Sequence, residues 1–263
     1  MAADFDGPLQ DFYERTQHIR RIIVAIESAS RNTAALTTVR TNVDLAGLGL
    51  HTGNTVNSMS LVFLASSFEE FVREELSQCA TELAIYYKKF PEDVRHSVRS
   101  SYWAACLDTF RFNGAILTRN KPKVPDSSAI SKLKGLLESA RGFVVDDDAA
   151  SIDSHVMVHH MHNFRPGVLD ELAGRLGIKS LVDEAAESAK LKSYFGVSKR
   201  HEAAKLLRSK LAEFYDKRNG IVHSLNSTSG YAVDVVIDYI ELFEGFADSI
   251  KGVLVKTTAK WTL

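Results

Sequence analysis

The sequence predicts an all-α protein, and three observations carry that prediction. Apolar residues recur at three- and four-residue spacing along most of the chain. Only five prolines and fifteen glycines interrupt it. Alternation of apolar and polar residues between turns, the mark of a half-buried strand, is nearly absent, and the best scrap is Gly142 to Val145.

Taken in order, residues 9–30 read as a first helix with Phe12, Ile19, Ile22, Ile23 and Ile26 on one side. A longer helix over about 53–88 carries a stripe of Leu61, Leu64, Phe68, Phe71 and Leu76, flanked by Glu69, Glu70, Arg73 and Glu74. Pro91 opens a third helix, since a first helical position has no hydrogen bond for proline to lose. Its apolar residues are Val94, Val98, Trp103 and Leu107. The segment RNKPKVPDSS at 119–128 reads as a loop, with Asp126 or Ser127 capping a short helix that runs to about Arg141. Residues 142–167 are the least regular part, closed by Pro166–Gly167. Leu169 to Leu176 and Leu181 to Ala189 form short helices around Gly177, and two long helices, about 198–226 and 231–254, finish the chain. Helices on either side of the 119–128 loop must cover each other's apolar faces. That need favours a single helical domain over 1–263, in the form of a bundle with peripheral helices.

At 45% hydrophobic and 25% charged, the chain has the balance of a globular protein able to bury a core. A net charge of −1 means that nucleic acid would have to be held by a local patch. Cys79 and Cys106 sit in apolar helical patterns and read as buried thiols in a reducing compartment. The acidic MAADFDGPLQ lacks the basic start and apolar stretch of a signal peptide. Apolar runs such as Ile22 to Ile26 and Leu61 to Ala65 are too short to cross a bilayer. The expected location is cytoplasmic, with no membrane partner.

The penultimate helix is the informative one. Leu207, Leu211, Phe214, Ile221 and Leu225 form its core stripe, and Arg218 falls within that stripe on an ideal helix. A buried arginine is costly unless a partner or a ligand anion satisfies it. Asn219 and His223, four residues apart, are neighbours on the adjoining face. A permanent cation, an amide and a titratable imidazole are suitable parts for cutting RNA without a metal. The 2′-hydroxyl must lose a proton and the 5′-leaving oxygen must gain one, which an imidazole can mediate near neutrality. A guanidinium can clamp the extra charge of the phosphorane. Two other readings compete: Arg218 and His223 cover a helix flank, or Asn219–Gly220 ends the helix as a left-handed cap. Arg218 and His223 are also about 140° apart around a straight helix, so convergence needs an extended arginine, an irregularity at Gly220 or a second subunit.

RNGIVH, lying between two amphipathic helices, resembles the arginine–polar–x3–histidine signature of the HEPN superfamily. SSFEEFVREEL in the long early helix and HNFRPGVLDELAGRLGI before the motif helix resemble its RiboL-PSP-HEPN and MAE-type branch. The resemblance implies an endoribonuclease acting without cofactor or metal, with Arg218, Asn219 and His223 at the catalytic motif and Glu69 or Glu70 lining the site. It implies RNA as substrate, and a homodimer whose two motifs form one composite site. It also implies a toxin or effector role in a toxin–antitoxin or phage-defence system, restrained by an antitoxin or regulatory protein. HEPN toxins silenced by nucleotidyltransferase antitoxins often carry tyrosine two residues after the histidine. Leu225 stands there in this chain, so modification at that position is not implied.

Between Glu187 and Arg218, nine Lys/Arg face four acids. This local excess can track a phosphate backbone or be a solvated helix face; Lys199, Arg200, Lys205, Arg208 and Lys217 are its candidate RNA contacts. His155, His159, His160 and His162 cluster within eight residues, but no further ligand is evident, and a structural or RNA-contacting surface is the preferred reading over a metal site. GLGLHTG at 47–53 has the wrong spacing for a dinucleotide loop. The competing class is a noncatalytic helical interaction module that keeps the motif for dimerisation.

Overall fold

The computed structural model describes residues 3–31, 49–112, 127–223 and 230–262. Among the described residues there is no strand, and the α-helices are α1 (Asp6–Arg31), α2 (Leu50–Tyr86), α3 (Glu92–Phe112), α4 (Ser127–Ala140), α5 (Ser154–Met157), α6 (Pro166–Arg175), α7 (Leu181–Ala185), α8 (Ala189–Phe195), α9 (Arg200–His223) and α10 (Val233–Trp261). No helix here is long and apolar enough to cross a membrane. Most of the expected loop at 119–128, including the candidate cap Asp126, lies outside the described residues, as does Leu225.

Several local expectations are corrected. Gly142 to Val145 belongs to a wide helical turn, Arg141–Val145, and is not a strand. Pro91 stands just before α3, where its carbonyl accepts from Arg95 N–H at 3.0 Å. The expected helix Leu181 to Ala189 stops at Ala185, and a separate α8 follows. Ser188 caps α8 by accepting from Leu191 N–H, and Gly196 ends it at φ +65°, a conformation open to glycine. On α1 the buried side is Leu9, Phe12, Thr16, Ile19 and Ile23, while Ile22 is exposed. Thr16 holds an inward position because its hydroxyl donates to Glu244 at 2.7 Å. On α3, Val98 is buried as expected, but Val94, Trp103 and Leu107 are exposed, and Tyr102, Ala105 and Cys106 are buried instead. Tyr102 can turn inward because its hydroxyl accepts from Asp153 N–H at 2.9 Å and pairs with Ser139.

The chain divides into two compact units. The first, Met1–Phe5, Val72–Ala185 and Ile250–Leu263, is built around Phe143. That ring meets Tyr87 and Tyr102 edge-on, at 5.0 and 5.1 Å between centroids. Beside it Asp147, at φ +54°, collects Tyr87, Lys88, Arg95 and Arg99. Those hydrogen bonds hold its carboxyl below the usual range. Cys79 and Cys106 are both free and buried, and burial raises the Cys106 thiol to about 12.

The second unit, Asp6–Phe71 and Ala186–Ser249, gathers α1, α8, α9 and the N-terminal parts of α2 and α10 around Phe68. Phe68 lies within 4.6–6.1 Å of Phe12, Phe71, Phe243 and Phe246. The pairings settle the helix directions. Asn57 meets Tyr231 while Phe68 meets Phe243, so α2 and α10 run parallel. Lys210 pairs with Asp238 and Lys217 packs on Tyr231, so α9 runs against them. Tyr13 bonds Asp248 and Arg20 bonds Glu244, so α1 is also antiparallel to α10. The C-terminal end of α9 therefore shares one end of the bundle with the N-terminal ends of α2 and α10.

Candidate active site

Ala203, Ala204, Leu207, Leu211, Phe214 and Tyr215 are the buried residues of α9, and Arg218 continues the line of Leu207, Leu211 and Phe214 one turn further. Its position on the core-facing stripe is as the periodicity predicts, but at the bundle end the side chain is half-buried rather than buried. Its Nε is buried and has no hydrogen-bond partner among the described residues. One terminal nitrogen donates to the Asn219 side-chain oxygen at 3.3 Å, and no carboxylate among the described residues pairs with the guanidinium. Arg20 shares the unpartnered Nε but differs in its carboxylate, reaching Glu244 at 2.9 Å, as buried Arg175 reaches Glu171 at 2.9 Å. A half-buried cation beside a neutral amide keeps its charge available for an anion.

His223 is exposed, in the last described turn of α9. The helix runs unbroken through Gly220, and the positive-φ glycines among the described residues are Gly177 and Gly196. Asn219–Gly220 is therefore not a left-handed cap, and no irregularity there turns His223 toward Arg218. Asn219 is joined to Arg218; His223 stands on another face of the same helix.

Glu69 and Glu70 are not brought to the motif. Glu70 pairs with Arg15 on α1. Asn54 and Asn57 are the α2 residues found at the motif end, and Glu69 lies twelve residues beyond Asn57, roughly 18 Å of helix. The reason is directional: α9 runs against α2, so its C-terminus meets the start of α2 and not its middle. The basic stretch is largely paired: Lys190, Lys192, Lys199, Lys210 and Lys217 each face a carboxylate. Lys205 is exposed, and Arg200 and Arg208 also have partners.

The histidine cluster belongs to the first unit. Arg175 is buried there and donates to the carbonyls of Met157 and His159, at 3.2 and 2.7 Å. His160 approaches Glu171 at 3.4 Å, and its ring Nδ1 accepts from His162 N–H. Burial, then the neighbouring Arg175 charge, lowers the His159 pKa. Among the described residues no group of three or more potential ligands is placed to hold a metal.

The profile of one family, RiboL-PSP-HEPN, matches residues 11–256. The chain belongs to the RiboL-PSP-HEPN family. The match takes in the motif helix and both stretches whose wording resembles this branch. Comparison with curated proteins and with solved structures returned no match.

The RiboL-PSP-HEPN bundle also brings residues to the motif end that the sequence reading passed over. Asn57, buried, donates to the Tyr231 carbonyl at 2.7 Å. Gly230 lies so close to the Asn54 side chain that a Cβ there would collide. Lys217 extends over the Tyr231 ring, 5.7 Å from its centroid. A signal for Asn57 was present, since it precedes Leu61, Leu64 and Phe68 on their stripe. A polar residue on a core stripe announces a specific partner.

Proposed function

We propose that this RiboL-PSP-HEPN protein is a metal-independent endoribonuclease, with Arg218, Asn219 and His223 as its catalytic residues. The observation that carries the reading is the Arg218 guanidinium: on the core stripe, half-buried, and without a carboxylate among the described residues. Such a group suits the charge that grows on a phosphorane as the 2′-oxygen attacks phosphorus and the 5′-oxygen departs. Asn219, already bonded to Arg218, orients it. His223 exchanges the protons. The 2′-hydroxyl proton goes to one imidazole, and the 5′-oxygen takes a proton from an imidazolium, leaving 2′,3′-cyclic phosphate and 5′-hydroxyl ends.

One motif supplies a single histidine on a face away from its arginine, whereas the reaction uses an acceptor and a donor at once. A homodimer joining two motifs supplies both, and Val222, exposed beside His223, suits burial in such a contact. The protein then acts in the cytoplasm as the effector of a toxin–antitoxin or phage-defence system, held in check by an antitoxin or regulatory protein.

The test is cleavage of total RNA in EDTA by wild type and by His223→Ala, with analysis of fragment ends. Cyclic phosphate ends made by wild type and lost in the variant are expected. Equal cleavage by both would sink the site. No cleavage by wild type, freed of any co-purifying protein, would favour a noncatalytic interaction module.

A further inference from the structure

We propose that Tyr231 is a base-stacking platform beside the motif, which grips an unpaired nucleobase of the RNA next to the phosphate being cut. The inference rests on the ribonuclease reading and adds a recognition element to that same site. Most tyrosines here use their hydroxyls: Tyr13 bonds Asp248, Tyr87 bonds Asp147, Tyr194 bonds Asp238 and Tyr239 bonds Glu213. Among the described residues Tyr86 and Tyr231 do not, and Tyr231 is the one beside Lys217 at the motif end. Its hydroxyl makes no hydrogen bond among the described residues, and its side chain is only half-buried.

Its backbone, by contrast, is held on two sides. Buried Asn57 donates to its carbonyl at 2.7 Å, and the preceding Gly230 presses against Asn54. An anchored main chain carrying an untethered ring is a preorganised surface, so little freedom is lost when a flat ligand settles on it. Lys217, next to Arg218 in sequence, extends over the ring while bonding Glu213 at 3.2 Å. A cation over an aromatic face at the end of a helix that carries an anion-seeking arginine is a pairing suited to single-stranded nucleic acid. The ring takes a base on the face away from Lys217, and the ammonium stands on the other side toward the adjoining phosphate. Stacking of this kind needs a base free of a duplex and tolerates any of the four. The preference is therefore for unpaired RNA rather than for a sequence.

The experiment uses the full chain and a short single-stranded RNA with 2′-O-methyl groups throughout, which has no 2′-hydroxyl to attack. Binding is measured in EDTA for wild type, Tyr231→Phe and Tyr231→Leu, and repeated with one nucleotide at a time made abasic. Tyr231→Phe keeps the ring and is expected to bind as wild type. Tyr231→Leu keeps apolar bulk without a π face and is expected to weaken binding roughly 5- to 150-fold, the worth of one stacked base. One abasic position should cost wild type a similar factor and cost Tyr231→Leu nothing further.

Binding by Tyr231→Leu as tight as wild type overturns the platform and leaves the ribonuclease reading standing. So does a loss in Tyr231→Leu that adds in full to every abasic penalty. Absence of wild-type binding, with no cleavage of unmodified RNA, overturns both. Circular dichroism melting of the two variants separates a lost contact from a lost fold.

Discussion

Replacing Arg218 with methionine is expected to leave the protein as stable as before, or more so, while abolishing RNA cleavage. In the wild type the buried Nε has no acceptor among the described residues, and the bond to Asn219 is long at 3.3 Å. An unsatisfied buried donor costs about 1–3 kcal/mol, whereas an ordinary hydrogen bond contributes about 0.5–1.5 kcal/mol. Methionine removes both and fills much of the same space with apolar atoms. The net change therefore runs from a loss of about 0.5 kcal/mol to a gain of about 2.5 kcal/mol for the variant, centred on a gain. Arg20 is the control. It holds Glu244 at 2.9 Å, and both side chains are mostly buried, at 23% and 16% exposed. Arg20 Nε is likewise without a partner among the described residues, so the replacement brings the same relief. But Arg20→Met strands that carboxylate, apart from its bond to Thr16, and the net expectation is a loss of about 1–2 kcal/mol. Urea denaturation followed by circular dichroism measures both variants. A second transition would mean that the two units unfold separately, and the comparison would then be made on the one that contains α9. A loss by Arg218→Met as large as that of Arg20→Met would refute the reasoning, because Arg218 would then be a structural peg. Residual cleavage by Arg218→Met would refute its catalytic assignment.

Two further outcomes follow from the packing and the charges. Phe68→Ala empties the position around which the second unit's aromatic rings gather, and is expected to cost about 3–5 kcal/mol in the same denaturation assay; a loss under 1 kcal/mol would mean that the ring cluster is not the centre of that unit's core. His159 has a lowered folded pKa, so the folded state binds its proton less readily than the unfolded state does. Its contribution is intact above the unfolded value of about 6.5 and is lost as pH falls from there through the folded value. His159→Gln should flatten the stability profile just below pH 6.5, and an unchanged profile would sink the assignment. The acid losses of Asp147 and Glu213, whose folded pKa values are also lowered, belong to a lower window beneath their carboxylate values.

Much of the architecture was legible in the sequence because helix periodicity is a local property. The α2 stripe of Leu61, Leu64, Phe68, Phe71 and Leu76 is buried throughout. The same logic put Arg218 on the inward line of α9, and RNGIVH carried the family. It failed on α3, where Trp103 looked the better core residue than Tyr102. Hydrophobicity alone does not report that the Tyr102 hydroxyl finds Ser139 and the Asp153 N–H, and those partners are far off in sequence.

Family and helical class were therefore determined by the sequence by itself. What surrounds the motif was decided by the tertiary structure. Glu69 and Glu70 look poised along the chain, but α9 runs against α2, so the motif end meets Asn57 instead. The basic stretch reads as a surplus of charge, yet carboxylates such as Asp238 and Asp248 arrive from α10 to pair with it. Tyr231 acquires meaning only when Asn57 anchors its backbone and Lys217 covers its ring. A helix is set by contacts a few residues apart. A site is set by contacts between helices, and their direction and register cannot be read from any one of them.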